Sequence, residues 1–279
     1  MEKINSFKNS HPVIFALLTA LALNLMMTIA KLIFLFFGIL QGSENMDFFI
    51  REIVITGICL FLVFITNQQH IYKCGTKGLL RGLWSGFLII VLSVIGCWIF
   101  MTEALAEKME FKPAYEIAVF LIMLVLVGIA EESVCRGIIT DILLKRFGKT
   151  RGGIILTVVL SAVIFGCSHI INIFRQSPEE TIIQMVATSL SGILLGAIYV
   201  KHKNIYSLMI LHSVFDLMVM IKQGFFAGES LGVSNIAENI DFWPDLKQAL
   251  ISQSIFVITA ILILGPKTLK RLAAENSKQ

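Results

Sequence analysis

Three groups of polar residues in the second half of the sequence have the types and spacing for hydrolytic chemistry. Glu131-Glu132-x-x-x-Arg136 follows the apolar run Ala118–Ala130. Residues four apart share one face of a helix, so Glu132 and Arg136 can pair. Glu131 lies about 100° round the same helix and is left to face a cavity and hold a water. Phe165-x-x-x-His169 lies in the apolar stretch Ile154–Ile173. His212-x-x-x-Asp216 repeats the four-residue spacing, and Asp216 accepting from one imidazole nitrogen would fix the tautomer at the other. Carboxylates and imidazoles converging in a partly dry cavity can carry out hydrolysis by water. Glu131 would be general base, while a His and an Asp would stabilise the developing oxyanion or protonate the leaving amine. Carboxylate and imidazole also suit a divalent metal such as zinc, with Glu131, His169 and His212 as ligands. The residues alone leave both mechanisms open.

Each group also has a plainer reading. Glu131, Glu132 and Arg136 can be a buried packing network. A single His in an apolar helix is more often a satisfied core residue than a ligand, and His212–Asp216 can be an interhelical hydrogen bond used for assembly. Charges inside a bilayer cost at least a few kcal/mol, so three such groups together point to one convergent site. Lys31 and Asn24 are read as structural, and Gly192-x-x-x-Gly196 as a face for close helix contact. His11, His70 and His202 fall at the ends of apolar blocks and are expected to be solvated.

These residues need helices in lipid to position them. Of the 279 residues, 56% are hydrophobic and only 15% charged, with a mean hydropathy of +0.83. Such a chain cannot cover a water-soluble core. Eight apolar blocks approach the ~20 residues a span needs: Val13–Leu40, Ile50–Thr66, Leu83–Leu105, Tyr115–Ile138, Ile154–Ile173, Thr181–Val200, Ile205–Ile221 and Ala249–Leu264. The expected fold is therefore an all-α polytopic transmembrane bundle, with a short second and last span. The first block runs past signal-peptide length without a small-residue cleavage pattern and is expected to remain a span. Fifteen Lys and Arg fall on the N-terminal side of the spans and six on the other, with Lys31 and Arg136 inside, which accounts for all 23. That bias places both termini in the cytoplasm and the connection Lys222–Lys247 outside, in a multi-pass protein of the cell membrane. His169 lies about 22 Å of helix rise past Ile154, so a single site requires the fourth helix to extend well past Ile138 or the fifth to begin in the cytoplasm.

Several function classes fall away. No basic surface interleaved with aromatics suggests nucleic acid. The five cysteines form no Cys-x-x-Cys pair, against a disulfide framework or zinc ribbon. There is no His-Glu-x-x-His helix, no Gly two positions before Ser191 as in rhomboid-type proteases, and no Gly-x-Gly-Asp. No internal repeat supports an inverted-repeat transporter, although a proton-coupled carrier would use the same buried charges as a relay.

In this order and on these helices, the motifs resemble the CPBP family of CAAX proteases and bacteriocin-processing or immunity proteins (also called Abi). Glu131-Glu132-Ser-Val-Cys-Arg136-Gly137 is similar to the family's Glu-Glu-x-x-x-Arg motif. Ser161 to His169 resembles its Phe-x-x-x-His motif, Gly192 to Tyr199 its glycine-rich helix, and Asn204 to Asp216 its His-x-x-x-Asn/Asp motif. Cys135 stands where relatives often carry an aromatic, and Asp216 where CAAX-cleaving relatives often carry Asn. The resemblance implies an intramembrane endopeptidase acting on a membrane-associated peptide or protein, of CAAX-like or bacteriocin- or pheromone-processing type. Glu131 would activate water with His169 as its partner, His212 and Asp216 would complete the site, and Glu132 and Arg136 would support it. It implies either a divalent metal such as zinc or a metal-free glutamate mechanism. It also implies an alternative, a non-catalytic membrane partner such as a bacteriocin-immunity protein or a sensor-kinase modulator. Residues 116–223 would form the catalytic core, between three N-terminal spans in 1–115 and an outer loop, last span and tail in 224–279.

Overall fold

The computed structural model describes residues 2–39, 42–174, 176–228 and 241–278. Arg175 and the middle of the Lys222–Lys247 connection lie outside the described residues. The chain is helical: α1 (Glu2–Ser10), α2 (Pro12–Phe36), α3 (Glu44–Ile65), α4 (Thr76–Ser85), α5 (Phe87–Ala106), α6 (Ala114–Val134), α7 (Asp141–Phe147), α8 (Arg151–Ser168), α9 (Pro178–His202), α10 (Ile205–Phe225), α11 (Phe242–Ile263) and α12 (Pro266–Asn276). Among the described residues there is no strand, and eight helices are long and apolar enough to cross a membrane. An even number of crossings puts both termini at one end of the bundle, called here the terminal end; the opposite end is the far end.

Four spans differ from the apolar blocks. The second and eighth spans are each 22 residues, because α3 begins at Glu44 and α11 at Phe242, well before the uninterrupted apolar runs. Backbone hydrogen bonding carries a helix through charged residues such as Asp47 and Arg51 as readily as through Leu. The third block divides, α4 ending and α5 starting at Gly86. The fourth span runs to Phe147, since α6 continues through a wide π turn at Cys135–Thr140 directly into α7.

Sequence-encoded caps set the hairpins. Thr150 Oγ1 accepts from Gly153 N–H at 3.0 Å and starts α8 two residues after Gly148 closes α7. Ser177 and Glu180 form a reciprocal capping box with Pro178 in the first turn of α9, each bond satisfying an otherwise orphaned donor. Lys203 ends α9 in the left-handed conformation, and Asn204 Oδ1 accepts from Ser207 N–H at 3.0 Å to start α10. Connections this short force antiparallel neighbours and fix which residues are level. Glu131 lies 16 residues before Phe147, and His169 lies 18 after Arg151, so both stand about 25 Å along the same hairpin. Ser191 lies 11 residues before His202 and Asp216 lies 11 after Ile205.

Small residues let these hairpins close. A Cβ on Gly166 of α8 would meet the backbone carbonyl of Met185 and the Ser189 side chain of α9, and one on Gly128 of α6 would lie 2.7 Å from the Met209 carbonyl of α10. Gly192 and Gly196 face Ala162, Phe165 and Val158 of α8, the close contact their spacing suggests. At the far end, Asn45 Nδ2 donates to the carbonyls of Glu116 and Gly224, and Lys112 Nζ donates to that of Gln223 at 2.7 Å.

The terminal end holds an ion cluster that the sequence reading missed. Asp141, almost wholly buried, lies 2.8 Å from Lys145 Nζ, 3.2 Å from His70 Nε2 and 3.8 Å from Lys203 Nζ. The expectation that His70 is solvated holds, since its side chain is half-exposed, whereas His202 is only partly exposed. His70 is half-exposed yet paired with Asp141, and His202 Nε2 is 2.7 Å from Ser85 Oγ. Each lies beside a polar group of a different helix, which one helix's sequence does not reveal.

Candidate active site

The π turn matters for the site because it follows the two adjacent glutamates. π turns inside α-helices recur at functional positions, and this one carries Arg136. Arg136 Nη1 donates to Glu132 Oε1 at 2.9 Å, and Nη2 reaches the Gly192 carbonyl at 3.4 Å. The side chains are 2% and 0% exposed, so this ion pair is sealed from solvent. Glu131, a hundred degrees round the helix, is 32% exposed on its side chain and lines the central cavity.

His212 brings the two glutamates together. Its Nδ1 is 2.7 Å from Glu132 Oε1. A carboxylate only accepts, so Nδ1 carries a proton and Nε2 points the other way. There Nε2 meets two more carboxylates, Glu131 Oε2 at 3.4 Å and Asp216 Oδ2 at 3.5 Å. Sequence spacing suggested that Asp216 sets the ring's tautomer; the nearer and better-buried anchor is Glu132, from another helix. The two Nε2 distances are longer than a direct N–H···O bond, which leaves this nitrogen and the two carboxylates facing shared space. Glu132 Oε2 has no hydrogen-bond partner, so one oxygen of this carboxylate serves both Arg136 and His212.

Phe165 is the hub between motifs. Its ring stands edge-on to His169, with centroids 5.2 Å apart, and edge-on to His212 at 6.0 Å. The Arg136 guanidinium carbon lies 4.7 Å from its centroid. One aromatic side chain thus packs against three of the polar residues singled out by spacing. His169 sits where α8 gives way to a 3-10 turn, with Nδ1 3.1 Å from its own Phe165 carbonyl. That carbonyl only accepts, so His169 also presents Nε2.

The cavity has a volume of about 660 Å³, and Glu131, His169, His212 and Asp216 all line it. The six residues of the sequence reading therefore meet around one space, with Glu132 and Arg136 behind the wall. Sequence reasoning missed most of the polar lining: Asn172 and Gln176 after His169, Gln184, Thr188 and Ser191 on α9, and Gln253 on α11. A signal existed for α9, because 184, 188 and 191 fall on one helical face.

Glu131, His169 and His212 are the ligands named from the sequence for the case in which a divalent metal is bound. Among the described residues no three His, Cys, Asp or Glu side chains group as ligands of one ion would. His212 and His169 each engage Nδ1 in a hydrogen bond and present Nε2 to the cavity.

Comparison with known families finds one match. Residues 113–218 match the family model described as type II CAAX prenyl endopeptidase Rce1-like. The matched segment runs from the start of α6 into α10 and contains all six site residues. It bears out the resemblance to the CAAX protease group and supports an intramembrane peptidase. No curated protein and no solved structure matches the chain.

Proposed function

We propose that the protein hydrolyses a peptide bond of a membrane-associated peptide or protein by activating water at Glu131. The observation that carries this reading is the arrangement around His212. A buried carboxylate holds one face of the ring, while the other face shares a cavity with a partly exposed glutamate.

In this reading a water enters beside Glu131, whose carboxylate removes a proton as the oxygen attacks the scissile carbonyl. His169 Nε2 helps hold that water. The carbonyl oxygen gains negative charge and is met by the His212 Nε2 proton, a donor oriented in advance by Glu132. Asp216 balances the charge of the imidazolium. The tetrahedral intermediate collapses when the proton held by Glu131 passes to the leaving amine. Water has then been split between a new carboxylate and a new amine. Glu132 and Arg136 act as positioning residues, because neither reaches the cavity. Substrates of CAAX-like, bacteriocin or pheromone type all fit an enzyme that works on peptides at a membrane.

The test is substitution of Glu131 by Ala and, separately, His169 by Ala, with membrane expression confirmed and membrane peptides compared with those of the wild type. Loss of the same processed peptide in both variants supports the proposal. Wild-type processing in both rejects an enzymatic role and leaves a non-catalytic membrane partner.

A further inference from the structure

The cavity is not symmetric along the bundle. Toward the terminal end its lining stops at Cys59, Cys135, Leu195, Leu211 and His212. From there the lining climbs α9 through Ser191, Thr188 and Gln184, and α10 through Asp216 and Val219, to Lys222 and Gln223. Those last residues stand in the final turn of α10, beside the far-end clamp of Lys112 and Asn45. Among the described residues, none of the connections at the terminal end contributes to the lining. The fifteen-to-six distribution of Lys and Arg places the terminal end in the cytoplasm. The two observations together give the cavity a side.

Its wall also has a chemistry. Asn172 Nδ2 and Gln176 Nε2 both donate to Gln184 Oε1, at 2.8 and 3.0 Å. Gln223 Oε1 and Gln253 Oε1, from two further helices, are buried without a hydrogen-bond partner. An unpaired buried acceptor is unfavourable until a donor arrives. Two such acceptors beside an apolar floor of Phe165, Phe215 and Phe256 suit an extended peptide, whose main-chain N–H groups have no partner of their own in lipid. An acyl chain would leave both acceptors unmet.

We infer that the cavity is a peptide cleft entered from the extracytoplasmic half of the membrane, with Gln223 and Gln253 accepting main-chain N–H groups of the substrate. The inference rests on the peptidase reading for its substrate class, but the side of entry does not. The substrate class is then an exported peptide, or a membrane-protein segment in the outer leaflet, and not a cytoplasmic chain.

The test uses the full chain in a bacterial inner membrane, with Gln223→Cys and Ser277→Cys as separate variants and the wild type as background for the native cysteines. A membrane-impermeant maleimide should label Gln223→Cys above background in intact cells and Ser277→Cys only after permeabilisation. Labelling of Ser277→Cys in intact cells, or of Gln223→Cys only after permeabilisation, overturns the side of entry. Gln253→Leu should unfold in detergent at the wild-type temperature, because its acceptor serves no partner within the fold. A lowered unfolding temperature would make Gln253 structural and overturn the recognition role. Neither readout needs catalysis. Correct labelling of the variants beside a wild-type chain that cleaves nothing sinks the peptidase reading alone, while cleavage by the wild type with reversed labelling of the variants sinks only this one.

Discussion

Replacing Glu132 by Gln keeps the shape of the side chain and removes its charge. The consequence follows from burial: Glu132 is 0% exposed and the Arg136 it neutralises is 2% exposed. The guanidinium is left with a neutral amide at 2.9 Å and a backbone carbonyl at 3.4 Å. Removing one partner of a buried ion pair destabilises by about 3–5 kcal/mol, chiefly because the other charge is stranded. For a chain of this size that corresponds to a fall in unfolding temperature of roughly 10 °C, measurable by fluorescence-detected unfolding in detergent. Removing both charges in Glu132→Leu with Arg136→Met should recover most of that loss, since no charge is stranded. The double variant should still fail to process peptide, because His212 Nδ1 has lost the acceptor 2.7 Å away. Stability and activity thus separate. A Glu132→Gln protein as stable as wild type, or a double variant that regains processing, would refute the claim that one buried carboxylate serves both Arg136 and His212.

Phe165→Leu removes a ring that touches His169, His212 and Arg136. Peptide processing should fall by more than tenfold, and stability by about 1–2 kcal/mol as apolar contact is lost, read by paired activity and unfolding measurements. Asp141→Asn strips the counter-charge from Lys145 and Lys203. It should lower the unfolding temperature while leaving processing measurable, because the cluster is remote from the cavity. Treatment with a strong chelator should leave processing unchanged, given that no three donors assemble around an ion site. Activity lost to chelation and restored by zinc would require a rearranged site with His169 as ligand.

Much of the architecture was legible because lipid imposes a simple rule. Every span had to be a long apolar helix, and eight blocks became eight spanning helices. The Glu132–Arg136 pair and the outward turn of Glu131 followed from helical period alone. The level of His169 was harder. The apolar run of the fourth span stops near Ile138, whereas the helix continues through charged Asp141 and Lys145 to Phe147. Apolar content marks where lipid is, and helix ends are set by caps such as Thr150. The role of Glu132 toward His212 was hidden because the two are 80 positions apart and no local spacing encodes that contact. Asp141 has Lys145 four residues on along its own helix, but its other partners, His70 and Lys203, lie on two separate stretches of chain that no local spacing links to it. Gln253 has no periodic company on α11, and only the packed bundle reveals that it faces the cavity.

The central claim is that water, activated at Glu131, is the nucleophile. The most direct measurement is peptide cleavage by the purified protein in liposomes made up in oxygen-18 water, with the products weighed by mass spectrometry. The account predicts one oxygen-18 atom in the newly formed C-terminal carboxylate of the wild-type product, and no product from Glu131→Gln. Labelled product formed by Glu131→Gln at the wild-type rate, or wild-type product without the label, would contradict it.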